Sequence, residues 1–223
     1  MLIAEDLLLL ATDDATGKSE ISTMQLDPAL AGAVLMELVV ARRLDLHGQG
    51  RKAEVVVIDT TPLGDPILDP ALQILIDKGP LKPVDAIGKL GKRLRESLYT
   101  GLETRGILRR ERGRVLGIFP TTRWPADDSR GEDELRRQIT DVLVAGAEPT
   151  ARIAAIVGVL TAADMLKAVV SKPELTAAKT RGQEIAEGNW ATDSVRRSIQ
   201  EMQAAMTAAV MVATTTTVMA GTH

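Results

Sequence analysis

The residues of this chain that could carry out chemistry are few, and their spacing argues against catalysis. His47 and His223 are the only histidines among 223 residues, and cysteine is absent. His47 falls beside a predicted hairpin turn and His223 stands at the end of the sequence, so neither a histidine dyad nor a multi-histidine metal site is expected. The lack of cysteine excludes thiol nucleophiles and thiolate metal sites. We therefore predict a protein that is not an enzyme, with no catalytic residues, no metal and no cofactor.

The triplet Gly17-Lys18-Ser19 has the residue types that end a phosphate-binding loop. The first glycine of that pattern would have to stand at position 12, where the chain has Thr12. Asp13 and Asp14 would place negative charge where backbone amides should face the phosphate. An ordinary turn is therefore the better interpretation of this segment.

Positive charge is concentrated in one segment of an otherwise acidic chain. The formal net charge is −3, with 27 basic and 30 acidic residues. Between Lys89 and Arg114 nine basic residues face three acidic ones, so this segment carries +6 and the remainder carries −9. The nine basic residues are Lys89, Lys92, Arg93, Arg95, Arg105, Arg109, Arg110, Arg112 and Arg114. A focused positive region on an acidic protein attracts an extended anionic surface, such as a membrane leaflet or a nucleic acid.

The start of this basic segment has a spacing suited to binding a phosphate group. Lys89, Lys92 and Arg93 are at positions i, i+3 and i+4 of a predicted helix, so they lie near one another on its surface. Arg95 follows three residues after Lys92. Arginine binds phosphate through its forked guanidinium, whereas lysine acts as a point charge. These four residues are the candidate head-group site.

Two other interpretations of the basic segment stay open. A basic helix followed by a basic hairpin also fits a winged helix that binds DNA. The acidic total charge and the shortage of aromatic side chains for base stacking disfavour nucleic acid as a partner. The only aromatic residues are Tyr99, Phe119, Trp124 and Trp190. The remaining interpretation is a protein-interaction scaffold without a ligand, whose basic residues only solvate a surface.

Hydrophobic periodicity predicts a mainly α fold that positions these residues. The nearly continuous apolar run of Ile153–Val170 is typical of a helix in the centre of a bundle. We expect a central helical bundle ringed by amphipathic helices, in a single domain over 1–223 whose residues 202–223 are partly a frayed tail. Two β-hairpins are predicted at about 44–58 and 107–119. The predicted helices are 3–11 (alternatively a buried strand), 28–41, about ten residues from 69, 89–104, 132–145, 150–170, 174–187 and 193–213.

Five stretches, in order along the chain, resemble the Golgi phosphoprotein 3 family. They are Leu2–Gly17, Leu30–Leu44, Pro62–Gln73, Leu94–Phe119 and Ile153–Leu166. The resemblance implies a helical domain around a central bundle, in a cytoplasmic adaptor that attaches peripherally to membranes. Eukaryotic members bind phosphatidylinositol 4-phosphate on Golgi membranes, so the implied partners are anionic membrane lipid and client membrane proteins. Arginine outnumbers lysine 18 to 9 and alanine is abundant, which predicts a bacterial homologue from a GC-rich genome.

The family's lipid site, a tryptophan and three arginines, is only half present in this sequence. By residue-by-residue matching, one arginine falls on Arg95 and a second on Lys92, which keeps the charge but loses the fork. The third arginine falls on Ala31 and the tryptophan on Ser22. The resemblance therefore implies anion binding centred on Lys92 and Arg95, with neighbouring cations compensating and without strict specificity for one lipid.

The family's hairpin serves self-association, and here the segment 107–119 is the corresponding candidate. We expect its apolar residues Ile107, Leu108 and Phe119 to mediate contact between copies of the chain in a homo-oligomer. A capped edge hairpin in a monomer is the alternative.

Overall fold

The computed structural model describes residues 1–48, 52–115, 119–187 and 204, with the side chains of residues 114, 115, 119 and 120 left aside. Over these ranges the chain forms eight α-helices and two antiparallel hairpins, so the predicted mainly α class is confirmed. The helices are α1 (Ile3–Leu10), α2 (Thr23–Val40), α3 (Leu68–Lys78), α4 (Pro83–Leu90), α5 (Leu94–Thr104), α6 (Arg130–Leu143), α7 (Ala151–Ala162) and α8 (Leu175–Glu187). The strands are β1 (Leu44–His47), β2 (Glu54–Val57), β3 (Glu111–Val115) and β4 (Phe119–Arg123). Apart from position 204, the predicted helix 193–213 and tail 202–223 lie outside the described residues.

The centre of the fold is a bundle of α1, α2 and α7, which pack on one another. All eight residues of α1 are buried, and Leu7, Leu35 and Ile156 are fully enclosed. Because aliphatic side chains fill this interior, the bundle is stabilised mainly by the apolar area that folding removes from water. Helices α4, α5, α6 and α8 pack around this centre, as the hydrophobic periodicity predicts.

Within the described residues, α2 is the one helix long and apolar enough to cross a membrane, with 18 residues and a mean hydropathy of 1.3. However, 61% of this helix is buried inside the fold, where it contacts α1 and α7. A helix that is apolar nearly all round is typical of the core of a bundle. We therefore interpret α2 as the core helix of this fold.

The acidic residues of α1 are buried, and each is paired with an arginine from a surrounding helix or its end. Asp6 is 2% exposed and pairs with Arg152 of α7. Glu5 pairs with Arg105, which follows α5, at 2.5 Å. Burial raises the pKa of Asp6, and the facing Arg152 partly opposes that shift. These pairs fix the orientation of α1 because an unpaired buried carboxylate would be strongly destabilising.

The predicted helix over 89–104 is wrong in one respect, because the structure has two helices there. α4 ends at Leu90 and α5 begins at Leu94. Between them, Arg93 has a left-handed backbone with φ of 63°. Lys89, Lys92 and Arg93 therefore do not lie on one continuous helical face, and each points from a different part of a helix–turn–helix.

Two other helix boundaries differ from prediction. α2 begins at Thr23, five residues before Pro28, so the proline lies inside the helix rather than at its first position. The predicted helix 150–170 ends at Ala162, and Asp164 adopts a φ of 53° just beyond it. A left-handed residue ends an α-helix, and the buried Leu166 continues the apolar run within a short 3₁₀ turn.

Both hairpins are present, and the second is shifted along the chain. β1 pairs with β2 from Leu44–Val57 to His47–Glu54, within the predicted range 44–58. β3 and β4 pair over residues 111–123 rather than over the predicted 107–119. The shift arises because Leu108 is 2% exposed in the core and bridges Ala126 at the base of the hairpin.

Candidate anion-binding cleft

The break between α4 and α5 separates the four predicted head-group residues. Lys89 is exposed in the last turn of α4. Lys92 is exposed in the turn and lines a shallow cavity of about 100 Å³ beside Pro70 and Ile74. Arg93 and Arg95 line a different cavity. The structure thus brings two of the four predicted cations together and places the other two on adjoining surface.

The cavity that contains Arg93 and Arg95, which we call the cleft, has a volume of about 480 Å³. α2, the turn before α5, α5 itself and the two ends of the second hairpin contribute its walls. Its lining residues are Asp27, Gly91, Arg93, Arg95, Glu96, Tyr99, Arg110, Thr122 and Trp124. Three arginines face two carboxylates, so the walls carry a formal charge of +1 on a chain whose net charge is −3. The cleft therefore concentrates positive charge where a small anion could enter.

Arg95 is held in the cleft by a carboxylate of α2. Its Nε lies 3.4 Å from Oδ1 of Asp27, and about one third of each side chain is exposed. Burial raises the pKa of the Asp27 carboxyl, and Arg95 partly opposes that shift. Within the described residues, Oδ1 of Asp27 accepts no well-oriented hydrogen bond. The pairing is therefore incomplete, and the Arg95 guanidinium keeps donors for an incoming anion.

Two stacked aromatic rings form the floor of the cleft. Tyr99 of α5 stacks on Trp124 with parallel rings whose centroids are 4.8 Å apart. The Tyr99 hydroxyl lies 3.0 Å from Oγ1 of Thr12, and burial raises the pKa of this phenol. Gly17 accepts a hydrogen bond from the Trp124 amide at 3.0 Å, and a side chain at Gly17 would collide with the backbone of Trp124 and Pro125. The floor is therefore closely packed, and Tyr99 and Trp124 are both more than 90% buried.

Arg110 reaches the cleft from the segment just before β3. Its guanidinium carbon lies 4.5 Å from the centroid of the Trp124 ring, which is a cation–π contact. Its Nη2 donates to Oγ1 of Thr100 at 3.2 Å, and its Nε lies 3.3 Å from Glu103. These contacts fix the guanidinium at the wall of the cleft.

A larger cavity of about 860 Å³ lies beside the cleft and shares Arg93 and Glu96 with it. Its lining is mostly apolar, and its other arginine, Arg105, is ion-paired with Glu5. This cavity therefore offers less uncommitted positive charge than the cleft, although it is larger. Within residues 1–48, 52–115 and 119–187, no cluster of three or more His, Asp or Glu side chains could hold a metal ion.

Sequence reasoning missed the second half of the cleft. The sequence places Arg110 in the basic hairpin of the winged-helix alternative, and it offers Trp124 only as one of four aromatic residues. No pattern in the neighbouring sequence predicts that either residue lines the cleft, because each reaches the cleft only when the hairpin base folds against α5. Two of the predicted self-association residues pack inside the fold: Leu108 is buried, and Ile107 is half-buried against the core. The side chain of Phe119 lies outside the described residues.

Comparison with known proteins identifies the family of the chain. Residues 3–202 match the sequence model of Golgi phosphoprotein 3 (GPP34). The chain belongs to this family. It is similar to vacuolar protein sorting-associated protein 74 of Eremothecium gossypii (24% identical over 164 residues, 65% of this chain and 49% of the relative). The same protein of Schizosaccharomyces pombe is 26% identical over 163 residues, which cover 64% of this chain and 48% of the relative.

The chain spans about half the length of these two Golgi phosphoprotein 3 relatives where it matches them. Both relatives are fungal, and the bacterial origin of this chain stays a prediction from composition. Ser22, at the expected tryptophan position, is exposed at the start of α2, while Ala31 is fully buried one turn after Asp27. The position that lacks the expected tryptophan therefore immediately precedes α2, and the position that lacks the expected arginine is on α2, the helix that supplies Asp27 to the cleft.

The left-handed backbone of Arg93 leads to a testable prediction. A non-glycine residue in this conformation is strained by about 1 kcal/mol or more, so Arg93→Gly should stabilise the fold by about 1 kcal/mol while weakening anion binding. Chemical denaturation measures the first effect and vesicle binding the second. Arg93→Lys is the control, because it keeps the positive charge without relieving the backbone strain. A less stable Arg93→Gly protein would contradict the assigned conformation.

Proposed function

We propose that this chain is a peripheral membrane protein that binds the head groups of anionic lipids in the cleft. In this proposal Arg95 and Arg93 contact the phosphate, while Lys92 and Lys89 contribute positive potential from the adjoining surface. Binding at the cytoplasmic face of a membrane, without catalysis, would let the protein act as an adaptor for client membrane proteins. Membership in the Golgi phosphoprotein 3 family supports this role.

The observation that carries the proposal is the group of three arginines in one cleft of an acidic protein. Arg93, Arg95 and Arg110 line a cavity of about 480 Å³, a size that suits a small head group. The guanidinium fork matches the geometry of phosphate oxygens, which makes arginine the usual residue for such sites. The residual positive charge of the cleft favours an anion over a zwitterionic head group.

The nucleic-acid alternative finds less support in the geometry. A winged helix would need a continuous basic recognition helix. Here the basic residues fall on two helices, because α4 ends at Leu90 and α5 begins at Leu94. Base stacking would need accessible aromatic faces, whereas Tyr99 and Trp124, the two aromatic residues whose side chains the structure describes, are buried against each other. A ligand-free scaffold remains the competing proposal, and a binding experiment separates it from ours.

Vesicle flotation tests the proposed function. Wild-type protein should float with phosphatidylcholine vesicles that contain an anionic lipid, and should stay behind with phosphatidylcholine alone. Arg95→Gln should weaken binding at least about tenfold, because hydrogen bonds to a charged group contribute about 1.5–3 kcal/mol. Lys92→Gln, which removes only surface charge, should weaken binding about fivefold.

The control is Arg137→Gln, which removes an exposed arginine of α6 that pairs with Glu134 and Asp141. It should float like the wild type. If wild-type protein fails to float at low salt, the membrane proposal is wrong and the result supports the ligand-free scaffold. If Arg95→Gln and Arg137→Gln float equally, the lipid site is elsewhere on the protein.

We also propose self-association through the second hairpin, now defined as residues 111–123. Glu111, Arg112 and Gly113 are exposed on β3 and available for contact with another copy, unlike Leu108. A hairpin that serves only as a capped edge would leave the protein monomeric at all concentrations in sedimentation equilibrium. A concentration-dependent dimer or larger species that Arg112→Glu weakens would support the interface.

A further inference from the structure

We propose that the larger cavity beside the cleft is a second ligand site, which takes the single aliphatic chain of a zwitterionic amphiphile such as a lysophospholipid. This site is separate from the proposed head-group site, because most of its walls and the chemistry of its ligand differ from those of the cleft. Its ligand is bound from solution and not on a vesicle, so the two proposals stand or fall independently.

The size and the lining of this cavity suit an aliphatic chain. Its volume of about 860 Å³ lies within the range of small-molecule sites, which are concave and mostly apolar. The residues before α1 contribute Met1 and Leu2, the turn before α3 contributes Pro66 and Ile67, and α5 contributes Gly101. An aliphatic chain that enters the cavity removes its own surface and the surface of these residues from water, which favours binding.

Gly101 leaves the cavity open on the side of α5. Apart from its own helix backbone and its chain neighbours, no described atom lies within 4 Å of the position that a Cβ atom at Gly101 would occupy. A glycine inside a helix is unfavourable, because glycine loses more conformational freedom on folding than any other residue. A side chain at position 101 would therefore occupy the cavity without displacing a neighbour.

Three of the charged side chains in the walls are already bonded within the protein. Glu5 and Arg105 form an ion pair with each other. Oδ1 of Asp65 accepts from the backbone amides of Ile67 and Leu68 at 2.8 and 2.9 Å, at the start of α3. These three side chains therefore have less capacity to select a ligand than the two that remain.

The two remaining side chains, Arg93 and Glu96, carry opposite charges at the boundary with the cleft. Both are exposed, and within residues 1–48, 52–115 and 119–187 neither side chain forms an ion pair. A zwitterionic head group satisfies both, since its phosphate pairs with the guanidinium of Arg93 and its cationic end lies by the carboxylate of Glu96. An anionic head group would pair with Arg93 and be repelled by Glu96.

The total charge of the walls also disfavours an anion in this cavity. Two basic side chains, Arg93 and Arg105, face three acidic ones, Glu5, Asp65 and Glu96, so the walls carry −1. The walls of the cleft carry +1. An anionic head group is therefore expected in the cleft, and a head group without net charge in the larger cavity.

Isothermal titration calorimetry with a lysophosphatidylcholine, below the concentration at which it forms micelles, tests the site. Wild-type protein should bind one molecule saturably. Gly101→Leu should weaken binding at least about tenfold, because the added side chain occupies the cavity. Gly88→Leu is the matched control: Gly88 also lies inside a helix with space around it, but it does not line the cavity, so this variant should bind like the wild type.

Competition measures the selectivity for the head group. Lysophosphatidic acid with the same chain should need about fivefold higher concentration than unlabelled lysophosphatidylcholine to displace a fluorescent lysophosphatidylcholine. In Glu96→Gln the two competitors should become equal, because the variant removes both the repulsion of the anion and the partner of the cationic end. Equal competition on wild-type protein would refute the zwitterionic head group.

Two results would overturn the site itself and leave the proposed function intact. They are the absence of saturable lysophosphatidylcholine binding by wild-type protein, and binding by Gly101→Leu as tight as by Gly88→Leu. If Gly101→Leu does not fold, Thr104→Leu narrows the same cavity from the next turn of α5, and unchanged binding by that variant would refute the site. A wild type that binds no lysophosphatidylcholine, but whose self-association Gly101→Leu abolishes, would assign the cavity to a second copy of the chain.

Vesicles distinguish a free amphiphile from one chain of a bilayer lipid. If the ligand is a free single-chain amphiphile, the protein binds lysophosphatidylcholine in solution and does not float with phosphatidylcholine vesicles. Flotation with those vesicles that Gly101→Leu abolishes would show that the cavity takes a chain from the bilayer, and would overturn the single-chain ligand.

Discussion

Replacing Glu132 with glutamine should stabilise the protein at pH 8 by on the order of 3 kcal/mol and should have little effect at pH 4.5. Glu132 of α6 is 5% exposed, and burial raises its pKa to about 7, with Arg136 opposing the shift and Asp14 adding to it. The unfolded chain should titrate near the ordinary value of 4.5. Because the folded pKa is the higher one, the stabilising contribution of the proton is complete below pH 4.5 and is lost as pH rises through 7.

The measurement is urea unfolding between pH 4.5 and 8. Wild-type stability should fall across this window, whereas Glu132→Gln should be flatter, because the amide stays neutral and can still accept from Arg136 and donate to Asp14. Glu134→Gln, on the same helix, is the matched control, since Arg137 lowers the pKa of that exposed carboxylate. If Glu132→Gln and wild type have the same pH dependence, Glu132 is ionised in the folded protein at neutral pH and the prediction is wrong.

Replacing Arg152 with methionine should destabilise the protein by about 3 kcal/mol. The side chain of Asp6 is 4% exposed and pairs with Arg152, whose own side chain is 45% exposed at the start of α7. Without the arginine, the buried carboxylate must either remain unpaired or take up a proton, and both cost free energy of folding. Chemical denaturation at pH 7 measures the loss.

Two further variants make this interpretation specific. Asp6→Asn combined with Arg152→Met should recover part of the lost stability, because the double variant no longer buries a charge. Arg137→Met, which removes a partner of exposed carboxylates, should cost less than about 1 kcal/mol. Equal losses in Arg137→Met and Arg152→Met would mean that burial adds nothing to the Asp6 pair.

Hydrophobic periodicity predicted the bundle because the apolar residues that form the periodic pattern in the sequence are the residues that the fold buries. The fully enclosed helix α1 and the apolar helix α7 both stand out in the sequence for this reason. The break at 91–93 was not predicted, because Leu90, Leu94 and Leu98 all remain buried on both sides of it. A pattern of buried positions cannot distinguish one helix from two helices that pack on the same core.

The cleft was predictable only in part. Arg95 and Arg93 stand out as cations near one another in sequence, whereas Asp27 pairs with Arg95 from 68 positions away. Trp124 and Tyr99 meet because α5 and the base of the hairpin are both held against the loop that contains Gly17. Composition reports how much charge a segment carries, but the direction of each side chain depends on the packing of distant elements.

The central claim is that anionic lipid binds in the cleft, and the most direct test of it is the fluorescence emission of Trp124 at the floor of the cleft. The chain has two tryptophans, so Trp190→Phe leaves Trp124 as the only one, and its emission can be followed while anionic vesicles are added. Saturable binding should change the emission, because an anion that engages Arg110 alters the contact over the Trp124 ring. Arg95→Gln in the same background should shift the change to at least about tenfold higher lipid concentration, and phosphatidylcholine vesicles should produce none. Flotation with anionic vesicles that leaves the Trp124 emission unchanged would contradict the account, because the lipid would then bind outside the cleft.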